Sequence, residues 1–284
     1  MLFNGPFNIS GGTQEWFGLV SQYDAASLLI FAAFSTPPDT TRKGAIDTCV
    51  RALKSAGVWT KLDVLYLFAA ADSQAALINW KAPGTFNATA TSSPTFTADR
   101  GYTGNGSSSY VDSNYNLSSS GGVYAASDAA LFAWNLRVGI PSAPNGLMGS
   151  SGTDVTQIYP RLGGGNTLRV CINTTSAIID IGGNTASEGF YAASRTASNA
   201  AAVYKNGSSV GTNSTSTSPA LPNTTMTFLR VNAQHADWQC AGGGFGSSLN
   251  STEHAALCNA LSAYLTSVGA LGGRMMGFPF PVTN

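Results

Sequence analysis

The acidic residues are the first candidates for chemistry, because cleavage of a glycosidic bond needs two carboxylates roughly 5 to 10 Å apart. The sequence has three glutamates, Glu15, Glu188 and Glu253, and none has another acidic residue within three positions. This isolation argues against glycoside hydrolysis and leaves open only a pair of aspartates. We therefore expect that the protein is not an enzyme.

A serine pattern and a histidine pattern are the other candidates for catalysis. Residues 207–211 read Gly-Ser-Ser-Val-Gly, which matches the nucleophile elbow of hydrolases. The match falls inside a predicted hairpin, whereas the elbow joins a buried strand to a helix, so we interpret it as chance. His235 and Asp237 could face one way on a strand, but His254 is the only other histidine. A polar strand face is therefore favoured over a metal site.

Alternating oxygen-bearing side chains at Asp112, Asn114 and Asn116 form a weak candidate for a calcium loop. Carboxylate and amide oxygens are calcium ligands, but the bidentate glutamate of a helical calcium site is absent. A turn rich in Asp and Asn is the alternative interpretation. No other cofactor is expected.

Five tyrosines near predicted loops are candidates for stacking on sugar rings. They are Tyr102, Tyr110, Tyr115, Tyr124 and Tyr159. An aromatic ring with a polar hydroxyl suits such a contact, but it equally suits the core or rim of a β protein. Both interpretations are left open.

Composition narrows the function classes. Only 10% of the 284 residues are charged and the formal net charge is zero, which argues against nucleic-acid binding and against a polybasic membrane patch. The apolar segment 25–34 is too short to span a bilayer, so membrane insertion is not expected. The four cysteines form no Cys-x-x-Cys pair, which favours buried thiols and leaves disulfides open.

The elements that must position these residues begin with a helical region. Ile46, Cys49, Val50 and Leu53 step by three, one and three positions, which is the stripe of an amphipathic helix. The apolar run that follows predicts a second short helix over residues 60–70. We therefore assign residues 37–91 to a helical region.

Beyond that region the apolar period changes to two, which indicates strands. Half-buried strands are predicted at residues 128–139, 167–173 and 226–231. Asn206-Gly207 predicts the type I′ turn of a hairpin. About ten to thirteen short strands imply two stacked antiparallel sheets. Residues 251–268 predict a closing helix, so we assign residues 92–284 to one β domain with a C-terminal helix and tail.

Two runs of sequence resemble a family of phage and prophage particle proteins of the tail or capsid surface. They are PPDTTRKGAIDTCVRALKSAGVWTKLDVLYLFAAADSQAALINW, from residue 37, and SPTFTADRGYTGNGSSSYVDSNYN, from residue 93. The later segments GFYAASRTASNAAAVYKNGSSV and LNSTEHAALCNALSAYLTSVGA are similar to that family's Asn-Gly hairpin and closing helix. The resemblance implies a helical N-terminal region before a concanavalin A-like, laminin-G-like jelly roll, a fold that hosts unrelated functions and often binds sugars.

The function expected from these features is structural. We predict a non-enzymatic virion protein, a decoration, fibre or tail component that displays a mostly β, two-sheet antiparallel jelly roll at the virion surface after synthesis in the bacterial cytoplasm. Its expected partners are other virion proteins of the capsid or tail and further copies of itself, since particle components repeat. The alternative is a receptor-binding lectin that recognises a host glycan.

Residues 1–36, an N-terminal arm followed by an apolar segment, lie outside the resemblance. Their apolar surface exceeds what a mobile arm leaves in water. It comes from Trp16, Phe17, Leu28, Leu29, Ile30 and Phe31. We predict that these residues dock the protein on a particle; the alternative is that the segment folds back onto its own domain.

Overall fold

Two antiparallel β-sheets packed face to face account for most of the computed structural model, which describes residues 22–140, 146–150, 152, 155–174, 178–215 and 217–272. The fold is mostly β, a two-sheet antiparallel jelly-roll sandwich, as the sequence predicted. In chain order the strands are β1 (Leu62–Tyr66), β2 (Thr89–Thr91), β3 (Thr95–Thr97), β4 (Gly101–Thr103), β5 (Tyr110–Asn116), β6 (Ala129–Asn135), β7 (Met148–Gly149), β8 (Gln157–Tyr159), β9 (Leu168–Cys171), β10 (Ile179–Ile181), β11 (Gly189–Ala197), β12 (Ala200–Lys205), β13 (Ser208–Asn213), β14 (Thr225–Phe228), β15 (Arg230–Val231), β16 (Gln234–His235) and β17 (Gln239–Gly246). The helices are α1 (Ala25–Ala33), α2 (Thr40–Ser55), α3 (Ser73–Ala76) and α4 (Ser251–Ser267).

Sheet A has the strand order β13, β12, β11, β6, β17, β4, β3, and β1 is also paired with β17. Sheet B has the order β10, β9, β8, β7, β14, β5, β2, and β15 and β16 form a separate hairpin. One row of cross-strand partners in sheet B shows the register of the core. Its members are all buried and are Ile179, Val170, Ile158, Met148 and Phe228. Alternation along each strand therefore directs the neighbouring polar side chains to the outer face of sheet B.

The central strands of sheet A are buried on both faces, because α4 covers the face turned away from sheet B. His254 of α4 stacks on Tyr204 of β12 with ring centroids 3.9 Å apart. Tyr264 of α4 lies edge-on to Trp80 at 5.2 Å, and α2 packs against α4 in turn. As a result β6 is buried along its whole length. The prediction of a half-buried strand over 128–139 is corrected accordingly, and the strand ends at Asn135.

The amphipathic helix and the closing helix are confirmed. The predicted stripe of α2 is buried, and Asp39 caps its first turn by accepting a hydrogen bond from the backbone N–H of Arg42 at 2.7 Å. α4 begins with a capping box between Asn250 and Glu253 and ends at Ser267, one residue earlier than predicted. The Asn-Gly hairpin is also present, since β12 and β13 pair around Asn206 and Gly207, whose φ angles are 50° and 81°.

The second predicted helix, over residues 60–70, is wrong. A single 3₁₀ turn, Trp59–Lys61, leads directly into β1, which pairs antiparallel with β17. The residues that follow Lys61 are almost all apolar, so their periodicity does not distinguish a helix from a strand that is buried on both faces. The glycines of β17 admit such a strand, because a Cβ at Gly244 would collide with the carbonyl oxygen of Val64.

Region 37–91, predicted as helical, therefore contributes β1 to sheet A and β2 to sheet B in addition to its helices. The boundary at residue 92 stays a prediction. In the ranges that the structure describes, no helix has both the length and the apolar character needed to cross a bilayer.

Candidate functional site

Four of the five tyrosines proposed for sugar stacking lie in the core. Tyr102, Tyr115, Tyr124 and Tyr159 are only 2 to 5% exposed. Burial raises the pKa of Tyr102 and of Tyr159 to about 12. Rings at this depth present no face to a sugar, so the prediction is corrected for these four. Tyr110 is half-buried and remains a candidate.

Tyr110 lies in a cluster with two cationic or titratable side chains. The guanidinium carbon of Arg230 is 3.8 Å from the centroid of the Tyr110 ring, and the ring of His235 is 5.8 Å from it. Gln234 is exposed beside His235. We call Tyr110, Arg230, Gln234 and His235 the Tyr110 cluster.

The strands place these side chains together for simple reasons of register. Val111 points into the core, so its neighbour Tyr110 points to the outer face of sheet B. β15 and β16 form a two-residue ladder in which Arg230 is directly opposite His235. The turn between them therefore places both side chains against the Tyr110 ring.

The hairpin β15–β16 is fixed to sheet B by its own contacts. The hydroxyl of Tyr159 donates to Oε1 of Gln234 at 3.0 Å. Val231 packs so closely on β7 that a Cβ at Gly149 would lie 2.7 Å from its side chain. Tyr159 thus anchors the hairpin that carries the cluster, in place of the sugar contact predicted for it.

The loop before Tyr110 is held by hydrogen bonds, although its sequence is all Gly, Asn and Ser. Oδ1 of Asn105 accepts hydrogen bonds from the backbone of Ser107, Ser108 and Ser109 at 2.8 to 3.0 Å. The backbone N–H of Gly106 donates to the carbonyl of Ala236, next to His235, at 3.2 Å. The cluster is therefore preorganised from both sides.

Arg230 forms no ion pair within the described ranges. Its Nε is buried without a hydrogen-bond acceptor. Asp237 is committed to Arg137, with 2.5 Å between Oδ2 and Nη1, and this pairing also accounts for the His235–Asp237 pattern seen in the sequence. Burial, followed by the charge of Arg230, lowers the pKa of His235 below its ordinary value. His235 is therefore a neutral hydrogen-bonding group at pH 7.

The calcium candidates lie on the outer face of β5, where side-chain oxygens of Asp112 and Asn116 already accept hydrogen bonds. Asp112 accepts from the backbone of Asn114 at 2.8 Å and from the hydroxyl of Thr225 at 2.9 Å. Asn116 accepts from the backbone of Ser118 at 3.0 Å. In the part of the chain that the structure describes, no group of three or more His, Cys, Asp or Glu side chains is arranged to hold a metal.

The docking candidates divide between core and surface. Trp16 and Phe17 lie outside the described residues. Ile30 is fully buried in the core, so its predicted role in docking is corrected. Phe31 contacts Tyr23 edge-on at 5.2 Å. Leu28 and Leu29 are 43% and 62% exposed on α1 and remain available.

A buried serine–histidine pair is present that the sequence did not reveal. Oγ of Ser194 lies 2.8 Å from Nε2 of His254 and also accepts from the backbone N–H of Leu249. His254 is fully buried, and its Nδ1 has no hydrogen-bond partner in the described ranges. The pair lacks both access to a substrate and the third group that orients a catalytic histidine. The elbow-like residues 207–211 lie in the β12–β13 hairpin and its edge strand, as predicted.

Arg230 is the residue of the site that the sequence analysis missed. Its partner Tyr110 is 120 positions away, and no spacing rule links an arginine after one strand to a tyrosine at the start of another. The short Arg230–His235 interval was a usable signal, because Asn232 and Ala233 form a tight turn there, with Asn232 at positive φ.

Comparisons with known proteins establish the fold and little beyond it. No family model and no curated protein sequence matches the chain. The binding domain of botulinum neurotoxin DC in complex with rat synaptotagmin II is 12% identical, with a TM-score of 0.51 over 72% of this chain and 52% of that one. A structure described as a receptor binding domain is 14% identical, with a TM-score of 0.51 over 74% and 53%. Domain 4 of AbnA, a GH43 extracellular arabinanase from Geobacillus stearothermophilus, in complex with arabinotriose, is 14% identical, with a TM-score of 0.48 over 70% and 98%.

The chain spans about half the length of the toxin binding-domain chain and of the receptor-binding chain that it matches. Identities this low show a shared fold alone. The matches support the β-sandwich fold that the resemblance implied, and they give no support to its phage-particle origin.

Proposed function

We propose that this protein is a non-enzymatic carbohydrate-binding sandwich domain that holds a glycan at the Tyr110 cluster. The observation that carries the proposal is the half-buried Tyr110 ring with an unpaired Arg230 guanidinium 3.8 Å from its centroid. Arginine offers hydrogen-bond donors in a fixed plane, and tyrosine offers an apolar ring with a polar tip. Both are suited to the ring and hydroxyls of a sugar.

The surroundings of the cluster supply further hydrogen-bonding groups without competing charge. Gln234 is exposed and polar, and Asn105, Ser107 and Ser108 form an exposed rim on the neighbouring loop. His235, neutral at pH 7, can both donate and accept. The receptor-binding domains of similar fold add a precedent for binding by such a sandwich, not an identification of the ligand.

The absence of enzymatic activity is part of the proposal, and three observations on the acids support it. Glu253 is used by the cap of α4 and by an ion pair with Lys61 at 2.7 Å. Asp112 is hydrogen-bonded on the surface of β5, and Asp237 is paired with Arg137. These acids serve structural contacts, so we expect no release of reducing sugar from any glycan that binds.

Binding to a glycan array, with Tyr110→Ala beside the wild-type chain, tests the proposal. We expect the wild type to bind a defined set of glycans and Tyr110→Ala to lose at least tenfold in affinity for them. Tyr23→Ala is the matched control, because Tyr23 is another half-buried tyrosine, located before α1. Equal loss in both variants, or no glycan bound by the folded wild type, would overturn the proposal.

A second candidate function is attachment of the domain to a virion as a structural component. We propose it because Leu28 and Leu29 leave adjacent apolar side chains exposed on α1, a feature typical of a contact surface. Capsid or tail proteins and further copies of this chain would be its partners, at the virion surface. Sedimentation tests the self-association: we expect Leu28→Ser/Leu29→Ser to shift a wild-type multimer to monomer. Identical sedimentation of the two proteins would count against it.

A further inference from the structure

Arg230 differs from every other arginine that the structure describes. Four arginines pair with an aspartate, and these are Arg42, Arg51, Arg137 and Arg169. Three more donate to amide or carbonyl oxygens, and these are Arg100, Arg161 and Arg195. Within the described part of the chain, the side chain of Arg230 donates to no oxygen at all. Its guanidinium instead packs on the Tyr110 ring.

The guanidinium of Arg230 is therefore partly dehydrated, and no hydrogen bond to an oxygen replaces the water that it has lost. Contact with the Tyr110 ring removes water from its face, and its Nε is buried without an acceptor. A cation that has lost part of its hydration gains more from a bound anion than an exposed cation does. Arginine's terminal amino groups can donate two parallel hydrogen bonds to one carboxylate.

The charge balance of the site favours a single carboxylate over a more highly charged group. Arg230 is the one cation of the Tyr110 cluster, because His235 has a lowered pKa and is neutral at pH 7. A phosphate dianion or a run of acidic side chains would need further cations. The exposed neighbours Asn105, Ser107, Ser108 and Gln234 carry hydroxyl and amide groups, which match sugar hydroxyls better than the apolar side chains of a peptide.

We infer that the Tyr110 cluster selects sugars that carry a carboxylate, such as a hexuronic acid residue, over their uncharged counterparts. The inference rests on the proposed function, since it names the ligand class of the same site. Arg230 would hold the carboxylate, while Tyr110 contacts the sugar ring.

Titration calorimetry on the full chain with matched ligands tests the inference. The probes are methyl galacturonoside and 3′-sialyllactose, which carry one carboxylate each. Each is compared with its methyl ester, which nearly keeps the size of the sugar and removes its charge. We expect each acid that binds to do so at least about tenfold more tightly than its ester, and to lose that advantage in high salt. Arg230→Gln should reduce the ratio of acid affinity to ester affinity to about one, whatever its effect on the affinity for the ester itself.

Two further variants separate the charge from the geometry of Arg230. Arg230→Lys should give an intermediate preference, because lysine keeps the charge but not the paired donors. Arg51→Gln is the matched control, since Arg51 is an exposed arginine of α2. It should leave both affinities unchanged.

The outcomes distinguish the inference from the function on which it rests. If acid and ester bind equally and Tyr110→Ala abolishes both, the proposed function stands and the inference is overturned. If neither probe pair nor any array glycan binds the folded chain, both are overturned. An acidic hexapeptide that binds as tightly as the sugar acids would also overturn the inference, because charge alone would then explain binding.

Discussion

Tyr124 has a structural role, in contrast to the ligand-binding role proposed for Tyr110. Its hydroxyl donates to Oδ1 of Asn173 at 2.8 Å and lies 3.2 Å from Oγ1 of Thr156. Asn173 in turn donates to the carbonyls of Ala125 and Ala126. This network ties the loop before β6 to sheet B, so it stabilises the sandwich and has no route to a ligand.

We predict that Tyr124→Phe lowers the free energy of unfolding by about 1 to 3 kcal/mol, because it removes a hydroxyl from a buried hydrogen-bond network. Tyr110→Phe is the control and should change it by less than about 0.5 kcal/mol, since Tyr110 lies at the surface. Urea denaturation of both variants measures the difference. Similar losses would mean that Tyr110 is also part of the structural network.

His254 should make the protein sensitive to acid. Burial lowers the pKa of His254 from its ordinary value of 6.5 to about 3. Below pH 6.5 the unfolded chain binds a proton at this site that the folded chain does not bind. Stability is therefore lost as the pH falls from 6.5 towards 3, by roughly 3 kcal/mol at pH 4.

His254→Phe tests this sign, because the ring can still stack on Tyr204 but cannot titrate. We expect the variant to be less stable than the wild type at pH 7, since the contact with Ser194 is lost. Between pH 6.5 and 4 its stability should fall by roughly 3 kcal/mol less than that of the wild type. Parallel stability curves for the two proteins would contradict the assignment.

The sequence alone predicted only part of the site. Tyr110 was one of five candidate tyrosines, and residue type did not separate it from the four buried ones. Burial depends on which face of a strand points inward, and a short or irregular strand hides that alternation. For Arg230 the sequence offered only its short interval to His235, because the importance of Arg230 lies in the ion pair that it does not form. A missing partner is a property of the folded chain.

At the level of elements, the glycine-rich strand β17 determines how sheet A is built. A side chain at Gly244 would collide with the backbone carbonyl of Val64 in β1, and one at Gly246 with the carbonyl of Lys61, the residue just before β1. The absence of side chains at these two positions therefore lets β1 pair directly alongside β17.

We predict that Gly244→Ala destabilises the protein by about 3 kcal/mol or more, since neither neighbouring backbone can move without breaking the pairing. Gly182→Ala is the control, because a Cβ there meets no atom within 4 Å. Its effect should stay within about 0.5 kcal/mol. Thermal denaturation followed by circular dichroism measures both, and a mild effect of Gly244→Ala would show that β1 can shift.

The elements that the sequence predicted correctly are those with one polar and one apolar face. The stripe of α2 and the leucines of α4 both have this property, and so does the hairpin around Asn206 and Gly207. The prediction for β1 was wrong because this strand is buried on both faces and so lacks an alternating pattern. Its strand conformation depends on pairing with β17, about 180 residues later in the chain. The glycine run of β17 was the sequence signal that was not used.

For the whole molecule, the open question is whether the β domain begins at residue 92. β1 pairs with β17 in the middle of sheet A, and β2 pairs with β5 in sheet B. Trp80 contributes a fully buried side chain against Tyr264 of α4. All three belong to the segment before residue 92.

We therefore expect the fragment 92–284 to lose cooperative unfolding and to bind a hydrophobic dye, as a protein with incomplete packing does. The fragment 22–272 should unfold in one transition like the full chain. Calorimetry of the two fragments decides the matter. A single sharp transition for 92–284 would establish the boundary and show that the preceding segment is an accessory.

The four free thiols lie in three layers of the fold: Cys49 in α2 and Cys258 in α4 belong to the helical layer, Cys240 in β17 to sheet A and Cys171 in β9 to sheet B. All are buried, and burial raises the pKa of each to about 11 or 12. A thiol reagent can react only when its layer opens and admits water. In variants that keep one cysteine each, the rate of thiol modification would thus report how often the layer around that cysteine opens. If the helical layer detaches as a unit, Cys49 and Cys258 will be modified at one common rate, and Cys240 and Cys171 more slowly.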